Sequence, residues 1–206
     1  MDFLEVVRGR RSVRKFTGDP VPKEDVREII DAARWAASAG NKQMWRFLAI
    51  TNQGVKEEMF RAVSAAFADL FAKAGASESA PGRTHYAAFF VDAPVAIAVL
   101  VEPYHTRADE LLAKVGVTEA ESASLRQYPN IQSIGAAIQV LCMAAYAKGY
   151  GACWMTGSNL ARRELEKILN VESPWSLAAV IAMGRPAENL VPRPRKPVDE
   201  ILTFIE

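Results

Sequence analysis

The residues best suited to chemistry lie in four short stretches of a 206-residue chain. The first is RGRRSVRKF at 8–16, where Arg8, Arg10, Arg11, Arg14 and Lys15 crowd into a protein of formal net charge +1. Arg10, Arg11, Ser12 and Arg14 offer guanidinium forks beside a short hydroxyl, which suits the bidentate, charge-assisted grip of a phosphate. The same run equally suits a basic helix end that complements its own dipole. The second stretch is PRPRKP at 192–197, with Arg193, Arg195 and Lys196 held extended by prolines. Such a run reads either as a solvated linker or as a partner to the first knot, closing on one anion from the other end of the chain.

The third stretch is SAGNKQMWRF at 38–47. Asn41 and Gln43 carry amides that both donate to and accept from a heteroaromatic ring edge. Trp45 and Phe47 would pack behind them. The plainer alternative is a loop in which Asn41 takes a left-handed turn after Gly40 and the aromatics belong to the core. The fourth is GACWMTG at 151–157. A strand ending in small residues presents main-chain N–H groups, and Gly157 permits close approach. Trp154 and Met155 read there as core.

Other chemistries are missing. GYGACW begins as G-x-G, but Trp154 stands at the third glycine position of a dinucleotide fingerprint. There is no G-x-x-x-x-G-K-[ST] phosphate loop and no nucleophile elbow, and a Ser-His-Asp arrangement stays open. His85 and His105 have no metal-ligand spacing, so no metal is expected. Near-neutral charge argues against nucleic acid and membrane surfaces as partners. MDFLEVVRG has no signal-peptide character, and no apolar run reaches a bilayer span. Cys142 and Cys153 sit in core-like stretches, which suits a reducing cytoplasm. Chemistry in such a chain falls to a bound cofactor.

The elements that position these stretches follow from periodicity. VPKEDVREIIDAARWAAS is a helix with Pro22 at its start and Val26, Ile29, Ile30, Ala33 and Ala37 on one face. RFLAIT (46–51) is a short strand, 55–74 an amphipathic helix, and 75–86 a loop by its Gly, Ser and Pro content. PVAIAVLV (94–101) is a strand buried on both faces. Residues 107–128 are a short helix and a mobile segment. Residues 130–149 form the most hydrophobic helix, whose small residues allow a close neighbour. GACWMT and SLAAVIAMG are further strands around the helix ARRELEKILN. The expected fold is α+β, one domain over 1–206 with a central mixed or parallel sheet covered by helices. The apolar ILTFI near the C-terminus, after a long proline-rich approach, is expected to exchange as an edge strand in a homodimer.

In order and spacing, R-R-S-x-R, then S-x-x-N-x-Q-x-W-x-F, then an apolar helix leading to G-x-G-x-C-W, and a closing P-R-K-P resemble the FMN-dependent nitroreductase family over essentially the whole chain. The resemblance implies that Arg10, Arg11, Ser12 and Arg14 hold the FMN phosphate and ribityl chain, finished by Arg193 and Arg195. It implies that Ser38 and Asn41, with Gln43 in the same motif, reach the flavin from the other subunit. Gln132 resembles a glutamine near the cofactor, and Met155, Thr156 and Gly157 match the strand end along the isoalloxazine ring. Two family prolines are Ala37 and Met44 here, and Thr156 replaces a frequent acidic residue.

The implied activity is ping-pong: NADH or NADPH reduces FMN, which reduces a small acceptor such as a nitroarene or quinone. Related folds support reductive dehalogenation, flavin fragmentation or dehydrogenation, and a non-enzymatic flavin sensor is the alternative from another class. Arg14 is the candidate for stabilising the reduced flavin, while Arg8 and Lys15 are expected to be ordinary surface charge.

Overall fold

The computed structural model describes residues 2–76 and 83–206. Its described elements are α1 (Phe3–Gly9), α2 (Lys23–Ala33), β1 (Trp45–Ile50), α3 (Gln53–Lys73), α4 (Arg83–Ala88), β2 (Val95–Val101), α5 (Arg107–Lys114), α6 (Glu119–Leu125), α7 (Pro129–Ala147), β3 (Gly151–Met155), α8 (Arg162–Ile168) and β4 (Ser176–Gly184). The strands form one sheet in the order β1-β2-β4-β3, making this an α+β fold.

Alternation along β2 explains its unbroken apolar sequence. Val95, Ile97, Val99 and Val101 face α2 and α7, where they join Ile29, Ile138 and Leu141. Ala96, Ala98 and Leu100 face the other way, into a layer built from Met59, Val63, Phe90 and Leu165. Helices therefore cover both faces of the sheet, and every residue of β2 is buried.

The expectation of a mixed sheet needs correction in detail, because all three ladders are antiparallel. The parallel pairing seen among the described residues is the isolated bridge Ser12–Ala152. Burial on both faces requires two helical layers and says nothing about strand direction, so the apolar run could not report it.

Two further expectations change. Of the loop assigned to 75–86, residues 77–82 lie outside the described residues, and helix α4 already begins at Arg83. Ala87, Ala88, Phe89 and Phe90 pull this segment into the second core layer. The segment assigned as one helix plus mobile chain is instead two helices, α5 and α6. Each opens with a capping box, Thr106 with Asp109 and Thr118 with Glu121, a pairing that satisfies two otherwise orphaned backbone donors.

α7 also departs from expectation. At 19 residues and a mean hydropathy of 1.2, it reaches the length and apolarity of a bilayer span. It packs Ile134, Ala137, Ile138, Leu141 and Ala145 into the protein and leaves another face open. Near the C-terminus, Ile201, Leu202, Phe204 and Ile205 are exposed and pair with no strand among the described residues.

The α5–α6 hairpin is tied by one carboxylate. Asp109 accepts from Ser122 and from the Thr106 hydroxyl and amide, and it pairs with Arg126, whose guanidinium lies 5.3 Å from the Tyr104 ring centroid. The Ser122 and Thr106 hydrogen bonds, with Arg126 beside them, hold the Asp109 carboxyl well below the usual carboxylate range. A carboxyl depressed in the folded state stabilises the fold above its unfolded pKa and loses that contribution as pH falls through its folded one. Amide hydrogen exchange in 107–126 is therefore expected to show pH-independent protection above about pH 4 and eroding protection in acid. Asp109→Ala is expected to lose this protection at neutral pH while β2 and β4 keep theirs.

Candidate functional site

The arginine-rich stretch divides as the chain leaves α1. Arg10 caps the helix in an extended conformation, and its amide donates to the Val6 carbonyl at 3.0 Å. Residues 12–16 then run extended against β3 and the segment after β4. The Val13 amide donates to the Ala152 carbonyl (3.1 Å), Phe16 bridges Pro186, and the Ala187 amide donates to the Lys15 carbonyl (3.0 Å). Val13 is buried while Arg10, Arg11, Ser12 and Arg14 are half-buried. Arg8 and Lys15 are exposed, and Lys15 forms a surface ion pair with Glu188 at 3.1 Å.

Close approach holds this strip in place. Gly151 lies so near Val13 that a Cβ there would stand 2.3 Å from Val13 Cγ2. The chain after β4 then passes alongside, so that Arg193 and Arg195 border the same cavity as Arg10, Arg11, Ser12 and Arg14, with Leu190 and Val191 completing it. Its volume is about 230 Å³. The two cationic knots, 180 residues apart in sequence, thus meet at one place.

Electrostatics identify what the cavity suits. None of the ion pairs among the described residues uses any of these five arginines. The Nε atoms of Arg10, Arg11 and Arg14 are buried and have no hydrogen-bond partner. An unpaired buried donor is costly, and on a cation more so. A phosphate supplies the missing acceptors, so the residues present fit that group. Arg11 also donates through Nη1 to the Arg8 and Arg10 carbonyls, and Arg14 donates to the Ser12 carbonyl at 3.2 Å. The Arg14 guanidinium rests 5.4 Å from the Tyr86 ring centroid. Two thiols lie beneath this region. Burial pushes Cys142 up to about 11 and raises Cys153, so both are unreactive core thiols.

Met155 ends β3 three residues beyond Ala152, about 10 Å along the strand, and Thr156 and Gly157 follow as the chain turns into a 3-10 helix. Met155 is buried and Thr156 and Gly157 are exposed. Gln132 stands exposed on the first turn of α7, where its amide donates to the Gln127 carbonyl at 2.7 Å. It lies one turn before Gly135, against which Trp154 packs.

The loop before β1 is not with them. Gly40, Asn41 and Gln43 all take left-handed conformations. The Gln43 amide donates to Ser38 Oγ (3.0 Å), and the Ala39 amide to Ser133 Oγ (3.1 Å), which pins the loop to α7 without the family's two prolines. Asn41 and Gln43 are exposed, with the Gln43 side-chain amide donating to the Asn41 carbonyl at 3.5 Å, whereas Trp45 and Phe47 pack against the α2–α7 core layer. This loop feeds β1 at one edge of the sheet and the arginine strip lines β3 at the other, three strand spacings or about 14 Å apart. One chain therefore assembles the cationic cavity and the β3 edge, and keeps Ser38, Asn41 and Gln43 apart from them. Sequence reading missed Leu190, Tyr86 and Ser133. Only Ser133 carries a hint, as a small hydroxyl in the first turn of an apolar helix.

The fold is a helix-covered antiparallel sheet of the α+β class with a cationic cavity on one edge, and comparison with known proteins narrows this. The nitroreductase family model matches residues 7–185, so the chain belongs to the nitroreductase family. An NADH dehydrogenase of Thermus thermophilus is 28% identical over 210 residues, covering 99% of this chain and 96% of that one. A BluB-like flavoprotein from Clostridium difficile 630 superposes with a TM-score of 0.87 at 29% identity, over the full length of both chains. A nitroreductase with bound FMN from Desulfitobacterium hafniense shares the fold at a TM-score of 0.73 and 21% identity, over 98% of this chain and 97% of that one.

The Val13–Gly151 contact generates a prediction. Gly151→Ala overpacks the strip and is expected to cost about 1–3 kcal/mol of stability, read by denaturant unfolding. Adding Val13→Ala is expected to recover most of the loss. Independent, additive losses would show that the two residues do not pack as described.

Proposed function

We propose that this chain is an FMN-dependent oxidoreductase that takes reducing equivalents from NADH or NADPH and delivers them to a small acceptor such as a nitroarene or quinone. The observation that carries this reading is the cavity in which five arginines from both ends of the chain meet, three of them with buried, unpartnered Nε atoms. The FMN-bound relative of the same fold and the NADH dehydrogenase relative support it.

When bound, FMN supplies the hydride chemistry, and this chain's residues bind and orient it. Arg10, Arg11, Ser12, Arg14, Arg193 and Arg195 hold the phosphate and ribityl chain. Met155, Thr156 and Gly157 line the ring, and Arg14 places positive charge where negative charge develops on reduction.

The second part of the proposal is a homodimer in which Ser38, Asn41 and Gln43 of one copy complete the site of the other, with Gln132 beside the ring. The separation of that loop from the β3 edge within one chain supports this. So do the open face of α7 and the exposed apolar run Ile201–Ile205. An exchanged C-terminal strand gives that run a buried place and covers a sheet edge that would otherwise be an open template for pairing.

Three measurements test the proposal. Purified protein is expected to be yellow, to release FMN on denaturation, to bleach anaerobically with NADH or NADPH, and to recover colour on adding a nitroarene. A protein that stays colourless with added FMN contradicts the reading, and bleaching without reoxidation by any acceptor favours a sensor. Arg10→Ala and Arg195→Ala are each expected to weaken FMN binding, with a coupling of about 1 kcal/mol or more in a double-mutant cycle. Additive effects would mean that the two arginines do not share one phosphate. Ending the chain at Pro197 is expected to weaken the dimer in sedimentation, whereas an unchanged oligomer excludes strand exchange.

A further inference from the structure

A separate cavity lies at the β1 side of the sheet, beneath the loop 169–175 that joins α8 to β4. Its volume is about 330 Å³, within the range of small-molecule sites. Arg46 and Leu48 border it from one face of β1, Leu100 from β2, and Leu169, Glu172 and Trp175 from the loop. Leu100 is buried and Leu48, Leu169 and Trp175 are half-buried, packed with the second core layer. The walls are therefore apolar, and charge stands at the rim.

The loop is held in place by its own backbone. The Val171 amide donates to the Glu166 carbonyl at 2.8 Å and the Trp175 amide to the Glu172 carbonyl at 3.0 Å. The Glu166 carboxylate accepts from the Leu177 amide at 2.7 Å, which ties the end of α8 to the start of β4. Across the cavity mouth, the Arg46 guanidinium rests 4.5 Å from the Trp175 ring centroid. Stacking of this kind orients a guanidinium fork and leaves its N–H edge free for a carboxylate.

Two opposite charges thus border one cavity. None of the ion pairs among the described residues uses Arg46 or Glu172, either with each other or with a third group. A simple anion at Arg46 would be repelled by Glu172, and a simple cation at Glu172 by Arg46. A ligand carrying both charges on an apolar body suits the rim and the walls together.

We propose that this cavity binds a free α-amino acid with an apolar side chain. Arg46 takes its carboxylate through the guanidinium fork, Glu172 accepts from its ammonium group, and Leu48, Leu100 and Leu169 receive its side chain. β1 and β3 are opposite edges of the sheet, about 14 Å apart, so this site is distinct from the cationic cavity and does not depend on the flavin reading.

The test is calorimetric titration of the full chain with L-phenylalanine, with phenylpropanoate, which lacks the ammonium group, and with phenethylamine, which lacks the carboxylate. L-phenylalanine is expected to bind at least about tenfold more tightly than either. Glu172→Gln is expected to abolish its advantage over phenylpropanoate, and Arg46→Met its advantage over phenethylamine. Equal binding of L-phenylalanine and either analogue overturns the proposal. So does an advantage that survives in both variants, or the absence of binding by all three at about 5 mM.

Discussion

The structure depends on positive charge held half-buried along the edge of β3, with nothing among the described residues to neutralise it. Three guanidinium Nε atoms are sealed from solvent without an acceptor. A folded protein keeps such groups only where the rest of the fold makes them unavoidable or a ligand satisfies them. Here the rest of the fold does insist. The Val13–Gly151 contact, the Ser12–Ala152 bridge and the pairing of Phe16 with Pro186 leave the strip one path. The arginines are placed by the packing of their apolar neighbours, and their unmet hydrogen bonds suit an anionic ligand.

The sheet sets the scale on which the rest of the site is arranged. β3, an edge strand, carries the cationic strip beside its first half and the exposed Thr156 and Gly157 at its end. That edge suits a long ligand with an anionic tail and a flat head. β1, the opposite edge, receives the Ser38–Gln43 loop, with β2 and β4 between. Within one chain the polar loop therefore lies away from the cationic cavity, which is the ground for the proposed homodimer. The open face of α7 and the unpaired apolar residues near the C-terminus are in keeping with that arrangement.

Much of this was legible in the sequence because it is carried by local patterns. Helices α2, α3 and α7 and strands β2 and β4 follow from apolar periodicity and capping, and the arginine cluster divides between cavity and surface along expected lines. What escaped was set by tertiary contact. Strand direction is invisible in β2 because both of its faces are covered by helices, whatever its neighbours' direction. The α5–α6 hairpin looked mobile by its polarity, yet one carboxylate, Asp109, gathers four donors and ties it down. The Arg14–Tyr86 contact has no sequence signature, since it joins residues whose spacing reports nothing about their proximity. The Ser38–Gln43 loop has Ala37 and Met44 where the family has prolines, and hydrogen bonds to Ser38 and Ser133 hold it instead.

The central claim is that affinity for the flavin is carried by its phosphate, through arginines from both ends of the chain. The most direct measurement compares riboflavin with FMN on the flavin-free protein, because the two ligands differ only in that group. Two or more charge-assisted hydrogen bonds lost together predict riboflavin binding at least about 100-fold weaker than FMN. Riboflavin binding as tightly as FMN would contradict the account, whatever the protein's activity.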